Sequence, residues 1–170
     1  MSASQSLVAN VRSPSYFVAR TRGRCRNCGL DTRLLALALP PNHETLDPET
    51  QSEASETPSS DAWQQTSVSA FLFYIEYLPV DIQQRLAQLS DCFRLAPLPT
   101  TSTSYWVNHC EHCHVLLDDD ELHCEPDVAF MPSSAAAAAG IELLHIHEPF
   151  EAQVAGYASE PEFFRCMRMS

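Results

Sequence analysis

Lysine is missing from this chain, and all ten basic residues are arginine. Glycine is scarce: four in 170 residues, each isolated. That excludes the glycine-rich loops that cradle phosphates in nucleotide sites. No apolar run approaches the roughly 20 residues that span a bilayer, so no membrane association is expected. The start, M-S-A-S-Q-S-L-V-A-N-V-R, lacks the basic region and apolar run of a secretory leader. The expected location is the cytoplasm, where thiols stay reduced and paired cysteines point to metal more than to disulfides. Two catalytic zinc patterns are also absent, the helical H-E-x-x-H of metalloproteases and the H-x-E…P-C-x-x-C of deaminases.

Charge is abundant but lopsided. The formal net charge is −12. Residues 1–41 hold six arginines against one acid, Asp31, while residues 42–170 hold four arginines against 21 acids. The acidic bulk argues against a nucleic-acid partner. Arg20, Arg22 and Arg24 nevertheless alternate along one stretch, with Arg26 and Arg33 close by, so nucleic-acid binding through a small basic stripe is one functional alternative.

Seven cysteines are present, an odd number that fits a closed disulfide framework poorly. Four of them form two Cys-x2-Cys pairs, Cys25/Cys28 in R-C-R-N-C-G-L and Cys110/Cys113 in N-H-C-E-H-C-H. Each pair has the spacing of a knuckle, a tight turn that aims two thiolates at one ion. Two knuckles make the closed four-cysteine set of structural zinc. Eighty-one residues separate Cys28 from Cys110, but loop-closure cost grows only slowly with length. The expected cofactor is therefore Zn2+ on Cys25, Cys28, Cys110 and Cys113.

Histidines crowd the second knuckle. His109, His112 and His114 flank Cys110 and Cys113, and His123-Cys124 follow. All five are candidates to orient the ligands or to replace them. A local site of Cys110 and Cys113 with two of His114, His123 and Cys124 is the alternative coordination, though it leaves Cys25 and Cys28 idle. A catalytic reading makes His123 a ligand and Glu125 a base, giving a zinc-dependent hydrolase or transferase. A four-thiolate site leaves no position for the water such an enzyme needs.

Residues 1–14 read as flexible. Ser15–Arg24 and Thr32–Leu39 read as strands on either side of the first knuckle, and Ala70–Tyr77 as a central strand. Pro79 opens a helix to Leu89 with Ile82, Leu86 and Leu89 on one face. Ser104–Val107 feeds the second knuckle and Val115–Leu117 returns from it. Ser133-Ser134 offers an N-cap for a short helix from Ala135 to Ala139, Ile141–His147 reads as a strand, and Glu160–Met169 as a terminal helix. Residues 42–62, acidic and Ser/Thr-rich, read as a mobile insertion.

The segments Cys25–Gly29 and Y-W-V-N-H-C-E-H-C (Tyr105–Cys113), with Leu122–Pro126 and Ala129–Pro132, resemble a group of small, uncharacterised bacterial zinc-ribbon-like proteins. His114 departs from that pattern, which has glycine there. The resemblance implies zinc binding and no particular activity. The reading as a whole is one α+β domain over residues 1–170: a split zinc ribbon with a small, mainly antiparallel sheet and two or three short helices. Its expected role is a zinc-stabilised module that binds another protein.

Overall fold

Residues Leu34–Leu39 are buried without interruption. A strand with one solvent face would alternate, so this run demands cover on both sides. The computed structural model, which describes residues 9–46, 63–99, 103–125, 127–159 and 163–170, supplies it. The run lies in β3 (Asp31–Leu39), which pairs with β2 (Tyr16–Arg24) on one side and β6 (Ala70–Tyr77) on the other. Leu35, Leu37 and Leu39 join one apolar cluster with Tyr16 and Val18, under Ile82 and Leu86 of helix α1 (Val80–Leu89). Leu34, Ala36 and Ala38 join a second cluster with Phe17, Ala19 and the cysteines of both knuckles.

The remaining strands are β1 (Val11–Ser13), β4 (Glu44–Leu46), β5 (Trp63–Gln65), β7 (Phe93–Pro97), β8 (Ser104–His109), β9 (Leu116–Leu117), β10 (Glu142–Ile146), β11 (Phe150–Ser159) and β12 (Arg168–Met169). Twelve strands form one sheet, in the order β12-β10-β2-β3-β6-β11-β1-β4-β5, with β8 branching from β6 and carrying β7 and β9. Among the described pairings only β10 with β12 is parallel. Two short helices, α2 (Asp119–His123) and α3 (Ala135–Ala138), lie beyond β9. Each is capped by a side-chain oxygen, Asp118 on Asp120 N–H and Ser134 on Ala137 N–H.

This architecture corrects the expected split zinc ribbon with its small sheet. The two knuckles are hairpin tips of a twelve-stranded mixed sheet. The ribbon reading followed local hairpins, whereas β2 pairs with β10 and β1 with β11, partners more than a hundred residues away. The expected C-terminal helix is also replaced. Phe163 has φ of 64°, only a 3-10 turn follows at Phe164–Cys166, and the chain ends as β12. Residues 160–162 lie outside the described residues. So do residues 1–8 of the expected flexible start and 47–62 of the expected insertion; Val11–Ser13 and Glu44–Leu46 within those spans are strands.

No helix among the described residues is long and apolar enough to cross a membrane.

Candidate metal centre

The hairpin β2–β3 turns over at Cys25–Leu30, and the hairpin β8–β9 at Cys110–Val115. The two turns share a hydrogen-bond plan. Gly29 N–H donates to Cys25 O and Cys25 N–H to Leu30 O, both at 2.9 Å. His114 N–H donates to Cys110 O and Cys110 N–H to Val115 O, both at 3.0 Å. Within each turn a backbone N–H points at the first sulfur, Asn27 to Cys25 Sγ and His112 to Cys110 Sγ, each at 3.4 Å. The fifth residue of each turn is left-handed, Gly29 at φ 74° and His114 at φ 62°.

The four sulfurs converge. Cys25 Sγ lies 3.6 Å from Cys113 Sγ, and Cys28 Sγ 3.7 Å from Cys110 Sγ. All four lie within 4.8 Å of one another. A zinc–sulfur bond of about 2.3 Å implies tetrahedron edges of about 3.8 Å, so the spacing fits a four-thiolate ion. All seven cysteines are free of disulfides. Cys25 and Cys110 are buried, with 1% and 0% of their surface exposed. The cluster could therefore hold a metal ion.

Without a cation the thiols of Cys110 and Cys28 are pushed in opposite directions. Backbone N–H groups of Cys113 and His112 hold the Cys110 thiol down at about 6 against desolvation. The backbone hydrogen bond at Leu30 pulls Cys28 down, but burial and the thiols of Cys110, Cys25 and Cys113 outweigh it and push Cys28 up to about 11. A divalent ion held by Cys25, Cys28, Cys110 and Cys113 would remove this conflict by replacing the protons and keeping the sulfurs as thiolates.

A clamp sets the second knuckle against the first strand pair. Asn108, 1% exposed, accepts from Leu35 N–H at 2.8 Å and donates to Leu35 O at 2.9 Å. Glu111 Oε2 accepts from Arg33 N–H at 2.6 Å, and Thr32 Oγ1 accepts from Glu111 N–H at 3.1 Å. His112 Nε2 donates to Asp31 O at 2.9 Å. These ties bring the knuckles together through ordinary hydrogen bonds. Sequence reasoning missed Asn108, Thr32 and Glu111. Asn108, an amide two residues before a knuckle and directly after the apolar run Tyr105–Val107, was the available signal.

None of the histidines belongs to the sulfur cluster. His109, 5% exposed, places Nδ1 3.2 Å from Cys92 O, and burial pushes its pKa down. His114 is exposed. His123 is stacked on Phe130 at 4.9 Å between ring centres, with Phe73 at 5.5 Å and Phe71 at 6.3 Å. Its Nδ1 is buried without a hydrogen-bond partner, and burial pushes its pKa down to about 3. Cys124 and Glu125 are exposed. The structure therefore does not gather His123, Cys124 and Glu125 at the sulfurs.

Of the arginines, Arg22 stands directly across the ladder from Arg33, and Arg24 across from Asp31. Arg20 is ion-paired with Glu142, and Arg26 with Glu121 at 2.7 Å.

No protein-family model matches the chain, nor does any curated protein or any solved structure.

Proposed function

We propose that the four-cysteine cluster holds a structural Zn2+ and that the chain is a cytoplasmic, zinc-stabilised module binding another protein. The observation that carries this reading is the convergence of four sulfurs from two knuckles at tetrahedral spacing. A closed set of four thiolates offers no open position for a reacting water, which favours a structural over a catalytic ion. The motif resemblance to bacterial zinc-binding proteins points to the same metal. The bound ion supplies a cross-link between hairpins that are otherwise joined by the hydrogen bonds of Asn108, Thr32, Glu111 and His112. The tip of the first knuckle leaves Leu30 52% exposed, an apolar contact of the kind a protein partner covers.

Metal analysis with X-ray absorption on the purified chain tests the reading. The expected result is one zinc per chain with four sulfur ligands. Cys110→Ser should lose the metal and fold poorly, since structural zinc supplies on the order of 10 kcal/mol in small peptides. Cys166→Ser, at an exposed position, should keep both metal and fold. Absence of zinc, iron in its place, or two nitrogen ligands overturns the assignment.

A further inference from the structure

The α1 side of the sheet ends in a groove of about 640 Å³ whose lining includes Arg20, Arg22, Arg33, Arg168, Leu89 and Glu142. Period-two alternation puts Arg20 and Arg22 on the same face as Tyr16 and Val18. The rows across the sheet are unusual. Arg168 lies opposite Glu142, and Glu142 opposite Arg20. Glu142 is already committed to the Arg20 ion pair. Two residues along β2 from Arg20, Arg22 and Arg33 face each other directly, an arrangement of like charges that destabilises an antiparallel pair.

Among the described residues, Arg22, Arg33 and Arg168 make no salt bridge. Glu111, on the second knuckle, reaches β3 at Arg33 but uses its carboxylate on the backbone N–H there, at 2.6 Å. The chain as a whole carries −12, yet four guanidinium groups gather around one lining carboxylate. Placing Arg22 directly across from Arg33 disfavours the ladder at that point.

We propose that this groove binds a phosphate monoester, either free in solution or carried on a side chain of a partner. A dianion with three acceptor oxygens suits several guanidinium forks at once, each able to bond bidentately. The volume falls within the roughly 300–1,000 Å³ of small-ligand sites. A long phosphodiester strand is disfavoured by the acidic remainder of the chain. The proposal does not depend on the identity of the metal.

Calorimetric titration of the full, metal-loaded chain tests it, with inorganic phosphate, a short phosphoserine peptide, the same peptide unphosphorylated, and an oligothymidylate as probes. Saturable binding of phosphate or of the phosphopeptide is expected. The Arg22→Gln/Arg33→Gln variant should bind about tenfold or more weakly, equivalent to about 1.4 kcal/mol. Arg94→Gln, outside the groove, should bind as wild type. Equal affinity for phosphate and phosphopeptide marks a free ligand, and tighter phosphopeptide binding marks a carried one. Arg22→Gln alone should raise the ligand-free melting temperature while weakening binding, because it relieves the facing charges; a purely structural arginine would lower stability instead. If the double variant misfolds, Arg168→Gln on the edge strand must still weaken binding. No saturable binding by either phosphate probe, unchanged affinity in the variants, or tighter binding of either control probe overturns the proposal.

Discussion

Asn108 joins two strands that share no backbone ladder. Its carboxamide offers one acceptor and one donor, and Leu35 offers the complementary N–H and C=O. The amide thus imitates a strand partner at a point where β8 approaches β3, two residues before Cys110. Both Leu35 groups would be stranded in the interior by truncation, at about 1–3 kcal/mol each. Asn108→Ala is therefore expected to lower stability by about 2–6 kcal/mol and to loosen any metal held by the cluster, because the second knuckle loses its registration on the first. Asn108→Asp should be as damaging, since a carboxylate cannot donate to Leu35 O. Denaturant melts with a parallel metal-release assay check this. The four cysteines of the cluster were legible because Cys-x2-Cys spacing is itself a turn geometry. The clamp was not, because the role of Asn108 depends on a strand 73 residues away.

At the scale of elements, the two knuckles are near copies in hydrogen bonding but differ at their left-handed position. Gly29 takes φ 74° freely, and a Cβ there would meet nothing within 4 Å. Its replacement by alanine should cost only the left-handed penalty, about 1–2 kcal/mol. His114 already bears that penalty at φ 62°. His114→Gly should accordingly raise stability by up to about 1 kcal/mol while leaving the metal bound, read as an upward shift in melting temperature. A fall would mean that the imidazole makes a contribution larger than its backbone cost. The elements around the knuckles were readable from sequence: β2, β3 and β6 carry dense apolar runs, and α1 places Ile82 and Leu86 on one face. By contrast β11 reads F-E-A-Q-V-A-G-Y-A-S, with small residues on its buried side. Gly156 is needed there because a Cβ would come within 2.2 Å of Phe73 Cε2. Such a strand is specified by what packs against it, and its partners β1 and β6 are remote in sequence.

The whole molecule carries opposed titrations that set its response to acid. Burial holds His123 down at about 3, and also lowers His109 and His43. Their neutral forms favour the fold above about 6.5, and that stability is lost as pH falls toward the folded values. Asp119 runs the other way. Burial pushes its carboxyl up to about 7 against the pull of the Tyr74 N–H, so its contribution is present below about 4 and lost as pH rises through 7. Each proton is worth about 1.4 kcal/mol per pH unit within its window. Between about pH 4 and 6.5 the terms of His123 and Asp119 oppose each other. His43, His109 and His145, all lowered, add to the His123 side, so stability should fall on acidification. Urea midpoints measured from pH 4 to 8 should show this decline. His123→Leu fills a similar volume against Phe71, Phe73 and Phe130 without a titrating ring. It should remove about 1.4 kcal/mol per pH unit of the acid loss in this window while leaving any metal held by the four cysteines in place. Asp119→Asn should do the reverse, removing the opposing term and steepening the decline. If His123→Leu leaves the slope unchanged, the imidazole is not held neutral in its aromatic pocket. If the same change releases zinc, His123 acts on the metal after all.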